Sequence, residues 1–281
     1  MVFEMKDGKL FMYDHTYSDA GTLYSIIDIA NGERIYDGWV LVRADEFMWN
    51  FVNKDFEFLS PEWFEHAMAF EEERAIVKKG GKYNLIDKEG NYKFKNWYDD
   101  MEPFEEGWSI VTQDGKKNYI NREEKLISEE WFDYVFTFNA KGWGEVILNN
   151  KNNLINSFGE YFFDEWVDNL GAMWDQGLIV VMTGGKTNYI TFDKEWISDE
   201  WWDLGGYFCN GFAPVKKGEK WNFIDKNGIC LSDLWFDVVD YFMDGEDGAK
   251  VTLGDKKFYL NKQGKLMDFS EKKEEDSLKK S

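Results

Sequence analysis

The sequence has little proline, cysteine, histidine and basic charge. Only 3 Pro, 2 Cys and 2 His occur in 281 residues, and Asp plus Glu outnumber Lys plus Arg by 54 to 33. The net charge of −21 argues against direct binding to nucleic acid or to an anionic membrane, because both need a positive protein surface. No apolar run approaches the roughly 18 residues of a membrane-spanning helix. We therefore expect neither a nucleic-acid nor a membrane partner.

The residues that usually carry chemistry are also scarce. Cys209 and Cys230 are too far apart for a CxxC motif, and we expect two reduced packing thiols. His15 and His66 have no Ser or Cys nucleophile context, and a zinc site lacks enough ligands. No GxGxxG or GKS/GKT loop occurs. The sequence thus predicts a protein that is not an enzyme and has no cofactor and no metal.

The first residues, MVFEMKDGKL, lack a basic region followed by an apolar run. No secretory signal is visible there, and with the two unpaired thiols this predicts a cytoplasmic protein.

Aromatic residues are abundant, at 19% of the chain with 14 Trp, and they recur at a fixed period. Six repeats begin at residues 49, 83, 117, 152, 187 and 221, and each has Asn as its second residue. A Trp follows each Asn by 13 residues, and an acidic residue lies two places after each Trp. The Asn, Trp and acidic columns are Asn50, Asn84, Asn118, Asn153, Asn188 and Asn222; Trp63, Trp97, Trp131, Trp166, Trp201 and Trp235; and Glu65, Asp99, Asp133, Asp168, Asp203 and Asp237.

A fourth column of valines shows where the repeats vary in length. It consists of Val77, Val111, Val146, Val181, Val215 and Val251. The spacing from Asn to Trp and from Val to the next repeat is constant, so all length variation lies between Trp and Val. Insertions are tolerated in exposed loops, whereas fixed lengths indicate hydrogen-bonded structure. The sequence predicts a packed scaffold with one variable edge in each repeat.

Short segments rich in Ile, Val, Phe and Tyr flank Gly-containing turns, as in GFAPV (211–215) and WNFID (221–225). This pattern is typical of β-hairpins. Asn is unfavourable inside a strand unless its amide is satisfied, so the Asn column needs an explanation. It fits either a backbone with positive φ, which Asn tolerates, or a ladder of amides stacked between repeats. We prefer the positive φ.

The segments GEKWNFIDKNG (218–228) and GGKYNLIDKEG (80–90) resemble the bacterial WG-repeat family. The repeat of that family reads roughly G-K-W-G-[YF]-I-D-x-x-G, followed by an aromatic-Asp segment and F-x-x-G-x-A-x-V. This chain has Asn in place of the second Gly in all six repeats. Gly and Asn both tolerate a left-handed backbone, which is the reason for preferring a positive φ. The resemblance spans about residues 24–266 and implies a β-rich array from a bacterium or phage, without assigning an activity.

We predict an all-β tandem repeat array of short hairpin units, arranged as an open solenoid or superhelix. A six-bladed β-propeller is the alternative, although about 34 residues is tight for four strands and their turns. The predicted divisions are an N-terminal cap and shortened repeat (1–48), six repeats (49–256), a half repeat (257–269) and a charged tail (270–281).

A repeat array offers an extended surface without needing reactive groups. We therefore expect a non-catalytic scaffold that binds a protein partner through an acidic, aromatic-rich surface. The alternatives are a carbohydrate-binding module that uses exposed Trp, and an acidic decoy of nucleic acid acting on a nucleic-acid-handling protein. The Trp and acidic columns are more simply packing and turn-capping residues. The binding candidates are therefore taken from outside the columns and from the variable edge: Trp39, Trp174, Asp175, Trp196, Asp244, Glu246 and Asp247.

Overall fold

The computed structural model describes residues 2–6, 9–14, 22–28, 35–36, 38–45, 48–53, 55, 57–173, 177–243 and 247–268. Within these ranges every regular element is a β-strand, so none of them contains a helix that could cross a membrane. The chain forms two compact units, Met1–Thr137 and Phe138–Ser281, which we call the N-terminal and C-terminal units.

The N-terminal unit contains four antiparallel sheets of three strands each, with the orders β1-β2-β3, β4-β5-β6, β7-β8-β9 and β10-β11-β12. The strands of this unit are β1 (Val2–Lys6), β2 (Lys9–Asp14), β3 (Thr22–Asp28), β4 (Ile35–Tyr36), β5 (Trp39–Asp45), β6 (Met48–Asn53), β7 (His66–Ala67), β8 (Arg74–Lys79), β9 (Lys82–Asp87), β10 (Asp100–Met101), β11 (Trp108–Gln113), β12 (Lys116–Asn121) and β13 (Tyr134–Val135).

The C-terminal unit repeats the same design. It contains the hairpin β14-β15, the three-stranded sheets β16-β17-β18 and β19-β20-β21, and the four-stranded sheet β22-β23-β24-β25. Its strands are β14 (Trp143–Leu148), β15 (Lys151–Asn156), β16 (Asn169–Met173), β17 (Leu178–Thr183), β18 (Lys186–Thr191), β19 (Leu204–Gly205), β20 (Ala213–Lys217), β21 (Lys220–Ile224), β22 (Val238–Val239), β23 (Gly248–Leu253), β24 (Lys256–Asn261) and β25 (Leu266–Met267).

The hairpins that join successive repeats pair the valine column with the asparagine column of the next repeat, and in the last hairpin Val251 pairs with Phe258. Val77 lies opposite Asn84, and Val215 lies opposite Asn222. The valines are buried, and so are the mostly small residues two places before them, such as Ala75. Since side chains alternate between the two faces of a strand, both columns point to the same packed face. The hairpins predicted at these joins are confirmed.

The turn after each Ile-Asp segment packs on the preceding repeat. Gly90 has a φ of 82°, and a Cβ placed on it would lie 2.9 Å from the carbonyl oxygen of Leu59. Gly228 and Gly264 also have positive φ, and a Cβ there would overlap the carbonyl oxygen of Ile197 or Leu231. Glycine is therefore needed at this position for two reasons. The φ is positive, and the backbone of the preceding repeat approaches too closely to leave room for a Cβ.

Repeats 3 and 5 have a long side chain where repeats 2, 4 and 6 have this glycine. Glu124 has a φ of 63°, and its carboxylate accepts hydrogen bonds from the amides of Lys95 and Asn96 in the preceding repeat, at 2.9 and 2.8 Å. Lys194 has a φ of 64°, and its ammonium lies 5.1 Å from the ring centre of Phe162. In these repeats a polar or cation–π contact replaces the close backbone approach.

The predicted fold class is confirmed: the chain is an all-β tandem array of small antiparallel hairpin units. The choice between an open array and a closed ring stays a prediction, as do the four divisions of the chain. Residues 269–281, which include the predicted tail, lie outside the described part.

Candidate functional site

The asparagine column holds the scaffold together through its side chains. All six asparagines are at most 1% exposed, and none has a positive φ. Asn84 Nδ2 donates to the carbonyl oxygens of Phe94 and Asn96, at 3.0 and 3.2 Å, and Oδ1 accepts from the amides of Leu85 and Phe94, at 2.7 and 3.0 Å. Asn118 and Asn222 bond in the same way to backbone 10 residues further on.

Both explanations offered for this column were wrong. The asparagines have ordinary strand conformations, and their amides bond within one repeat instead of stacking from repeat to repeat. The amide satisfies backbone groups in the segment that leads to the Trp, where no strand partner is available to them. Asn is thus a structural clamp and not a substitute for a flexible glycine.

The acidic column clamps the hairpin turns. Asp99 accepts hydrogen bonds from Lys82 Nζ and from the amide of Asp114, and these two contacts lower the pKa of its carboxyl group. Asp168, Asp203 and Asp237 make the same pair of contacts, and their pKa values are lowered for the same reason. The residues are thereby explained as turn caps, as the constant spacing indicated.

The tryptophan column packs between repeats, but only half-buried. Trp131 packs against the core cluster of the preceding repeat, 6.5 Å from Tyr98, and Trp235 packs against the cluster that contains Trp202. The residue after each Trp is the buried one, at most 7% exposed, and forms the column Phe64, Tyr98, Phe132, Val167, Trp202 and Phe236. The core of each repeat is centred one residue later than we expected.

Nine of the twelve large apolar side chains that are exposed among the described residues belong to the C-terminal unit. Five of them come from equivalent segments of repeats 5 and 6, between Trp and Val, and we call them the tyrosine face. They are Leu204 (52% exposed), Tyr207 (53%), Val238 (56%), Tyr241 (43%) and Met243 (58%). An exposed apolar group of this kind is typical of a surface that binds another protein.

The tyrosine face is built from the same two positions of two successive repeats. Leu204 and Val238 lie three residues after the column Trp, and Tyr207 and Tyr241 lie six residues after it. The other repeats have His66, Asp100, Tyr134 and Asn169 at the first position and Ala69, Pro103, Thr137 and Ala172 at the second. The scaffold therefore does not require large apolar residues there, because the same fold forms without them.

Glycines of the preceding repeat hold the two tyrosine rings in place. A Cβ on Gly171 would lie 3.0 Å from Tyr207 Cε1, and a Cβ on Gly206 would meet the hydroxyl of Tyr241. The edge of the Tyr207 ring and the hydroxyl of Tyr241 thus lie close to glycine backbone, while about half of each side chain faces solvent. Asn210 further ties the segment down, since its Nδ2 donates to the carbonyl oxygen of Met243. Tyrosines fixed in this way lose little conformational entropy when they bind a partner.

Trp39 and Trp196 were wrongly placed outside the repeat columns. Trp39 begins β5 as Trp108 begins β11; it is half-buried, 6.5 Å from Phe70, and packs with the core. Trp196 bridges to Ile190 as Tyr92 bridges to Ile86. It is 43% exposed and lies 5.1 Å from Trp201. Only Trp196 of this pair offers a ring to solvent.

The remaining predicted binding residues lie at the variable edge. Trp174, Asp175, Asp244 and Glu246 fall outside the described residues. Asp247 is exposed, and its carbonyl oxygen accepts a hydrogen bond from the amide of Lys262 at 3.1 Å. The structure therefore does not bring the predicted set together as one site. The tyrosine face lies in the same Trp-to-Val segments, and comparing equivalent positions between repeats would have identified it from the sequence.

The described residues give little support for metal or thiol chemistry. Among them no group of three or more His, Cys, Asp and Glu side chains could hold a metal ion. Cys209 is half-buried and Cys230 is exposed, and both are free thiols.

The comparison with protein families agrees with the repeat pattern. The family model described as WG containing repeat matches residues 49–83, 85–116 and 203–221. The family model thus matches three segments of the repeat array, and the resemblance stated from the sequence is confirmed at these positions. None of the curated proteins matches this sequence.

Several solved structures are similar over much of the chain, at low identity. A crystal structure of the eukaryotic initiation factor is 9% identical, with 94% of this chain and 83% of that chain covered and a TM-score of 0.38. Apo AztD from Citrobacter koseri is 10% identical, with 95% and 92% covered and a TM-score of 0.31. Hsv2p from Kluyveromyces lactis is 10% identical, with 80% and 90% covered and a TM-score of 0.30. Scores this low support no transfer of function from these proteins to this chain.

Proposed function

We propose that this chain is a non-catalytic scaffold that binds a protein partner through the tyrosine face. The observation that carries the proposal is the repetition of two large apolar side chains at equivalent exposed positions of repeats 5 and 6. Tyr in a fixed orientation is enriched among the residues that dominate protein interfaces. Three of the remaining four repeats have small or polar residues at both positions, and repeat 3 has Tyr134 at the first, so the scaffold does not require the large apolar pair.

Burial supports the assignment of these residues to binding instead of stability. A side chain about half exposed contributes only part of the hydrophobic stabilisation that full burial would give. Leaving five such side chains in contact with water favours association with a surface that can cover them. The asparagine column, the valine column and the residues that follow each column Trp are, by contrast, almost fully buried.

The test is a cross-linking and pull-down experiment with proteins from the native host, at low and high salt. We expect a partner that the wild type captures and that the Tyr207→Ala/Tyr241→Ala variant loses. The matched control is Asp100→Ala/Pro103→Ala, which alters the equivalent exposed positions of repeat 2. Capture that is equal for the wild type and both variants would contradict the proposal.

Carbohydrate binding is a second candidate because Trp196 is exposed and stacks on Trp201. Sugar rings stack on such exposed aromatic faces, and binding of this kind depends weakly on salt. Glycan addition should quench the Trp fluorescence of the wild type and leave that of Trp196→Ala unchanged. A glycan array without any Trp196-dependent signal would remove this candidate.

The third prediction, an acidic decoy of nucleic acid, rests on net charge alone and requires capture of a nucleic-acid-handling protein that weakens steeply with salt.

A further inference from the structure

We infer that the partner segment that covers the tyrosine face is a basic polypeptide that also carries apolar side chains. This inference rests on the proposed function and adds the chemical class of the partner. It is drawn from the charges of the two segments that supply the face, which are all negative, although Lys216 of β20 lies opposite Leu204.

The two segments that supply the face contain no Lys or Arg. Residues 195–215 have four acidic side chains, and the described residues 227–243 have three, with no basic residue in either segment. Asp240 is exposed and adjoins Tyr241, and Asp247 is exposed shortly after the second segment. A ligand that lies across both segments therefore meets apolar rings in a field of negative charge.

The lysines that pair with acidic residues of the two segments lie in hairpins outside those segments. Each of these lysines already has a carboxylate partner within the chain. Lys186 pairs with Asp203, Lys220 pairs with Asp237, and Lys217 pairs with Glu200 at 3.0 Å. Asp240, which lies between Val239 and Tyr241, is not among these lysine pairs. A basic side chain of a partner can therefore be placed beside the tyrosine rings without competing with the scaffold.

Charge also argues against a second copy of this chain as the occupant. Two chains of net charge −21 repel each other, and each would bring the same acid-rich segments to the contact. An acidic partner is disfavoured for the same reason. A purely cationic partner would leave the apolar side chains uncovered. A segment with both basic and apolar side chains satisfies the two features together.

The experiment uses the full chain and three short labelled peptides of equal length. One is rich in Lys and Leu, one in Glu and Leu, and one in Lys and Ser. Binding is measured by fluorescence anisotropy at physiological salt. We expect the Lys-Leu peptide to bind the wild type at least about tenfold more tightly than either of the others. The Glu-Leu peptide tests whether apolar contact alone suffices, and the Lys-Ser peptide tests charge alone.

Variants connect binding to the face. Tyr207→Ala/Tyr241→Ala and, independently, Leu204→Ser/Val238→Ser should each weaken binding of the Lys-Leu peptide about tenfold, while Asp100→Ala/Pro103→Ala should not change it. Thermal melting of each variant establishes that it is folded, and the second variant keeps both tyrosines. Equal binding of the three peptides, or equal binding by the wild type and both face variants, would overturn the inference. If face-dependent capture of a host protein succeeds but the peptides fail, the proposed function stands and the basic partner is wrong.

Discussion

The two units place different chemistry at equivalent positions of the same repeat. The first residue of the repeat hairpin is Arg74 in one repeat of the N-terminal unit, which otherwise has Trp39 and Trp108 there, and it is Trp143 in one repeat of the C-terminal unit. Arg74 donates to the carbonyl oxygen of Arg122, whose guanidinium lies 4.3 Å from the ring centre of Phe104. Trp143 instead packs 5.0 Å from Phe162. The repeat with Arg74 uses charged and polar contacts where the repeat with Trp143 uses aromatic ones.

The turn before this residue differs in the same way. Most repeats have Gly there, as in Gly107 and Gly211, whereas one repeat of the N-terminal unit has Glu73 with a φ of 70°. Its neighbour Glu72 pairs with Arg122 at 2.9 Å. A non-glycine residue in the left-handed region costs about 1 kcal/mol, so the acidic turn lowers the stability of the folded chain. The columns therefore define the fold, while the positions between them vary in chemistry from repeat to repeat.

If this comparison is right, breaking a column should destabilise both units equally. Asn84→Ala and Asn222→Ala should each lower the free energy of unfolding by about 2–4 kcal/mol, because each leaves buried backbone groups without partners. Chemical denaturation followed by Trp fluorescence measures the effect. Asn227→Ala, at an exposed position, is the control and should change stability by less than about 0.5 kcal/mol. A large loss at only one of the two buried sites would break the comparison.

The glycine joints between repeats come next in size. Gly90→Ala and Gly228→Ala should each cost about 1–3 kcal/mol, since φ is positive and the new Cβ meets a backbone carbonyl of the preceding repeat. Gly218→Ala is the matched control: its φ is 61°, but nothing lies within 4 Å of a Cβ, so it should cost only about 1 kcal/mol. Equal melting temperatures for Gly228→Ala and Gly218→Ala would show that the close approach does not matter.

The acidic column should make a smaller contribution to stability, and this contribution should depend on pH. Asp99, Asp203 and Asp237 have a pKa lowered from 3.8 in the folded chain, first by the lysine and then by the backbone amide. Their contribution is therefore fully present above the ordinary carboxyl pKa and is lost as the pH falls through the lowered value. Melting temperatures measured from neutral pH down to about pH 2 should show a shallower acid loss in the Asp→Asn variants than in the wild type.

The clamp prediction also tests whether the units are alike. Asp99→Asn in the N-terminal unit and Asp203→Asn in the C-terminal unit should change the acid profile to the same extent, since both make the same two contacts. Parallel acid profiles for the wild type and both variants would count against the clamps.

The smallest effect on stability is expected at the tyrosine face. Tyr207→Ala and Tyr241→Ala should each lower the free energy of unfolding by less than about 1 kcal/mol, because half of each side chain is already in water. Denaturation curves measure this, with Phe236→Ala as a buried reference that should cost about 3–5 kcal/mol. A loss at the tyrosines as large as that at Phe236 would assign them to the core and remove the proposed binding face.

The repeat, its hairpins and the all-β class could be predicted from the amino-acid sequence alone. These follow from spacing along the chain: the Val-to-Asn interval is constant, turn glycines sit inside it, and strand pairing within a hairpin is local. The acidic turn caps were predictable for the same reason. Val77 opposite Asn84 is the register that the fixed interval implies.

Three features depend on contacts that form only in the folded chain. They are the hydrogen-bond partners of the asparagines, the choice of the buried aromatic residue and the location of the exposed apolar residues. Asn84 bonds to backbone 10 and 12 residues away, in a segment without regular strand pattern. Trp131 is half-buried, whereas Phe132 is fully buried. Contacts with the preceding repeat set the exposed fraction of each ring. Tyr207 and Tyr241 face solvent for the same reason: glycines about one repeat earlier leave room for a ring but no pocket to enclose it. Burial depends on contacts between repeats, and the period of a sequence carries no information about their depth.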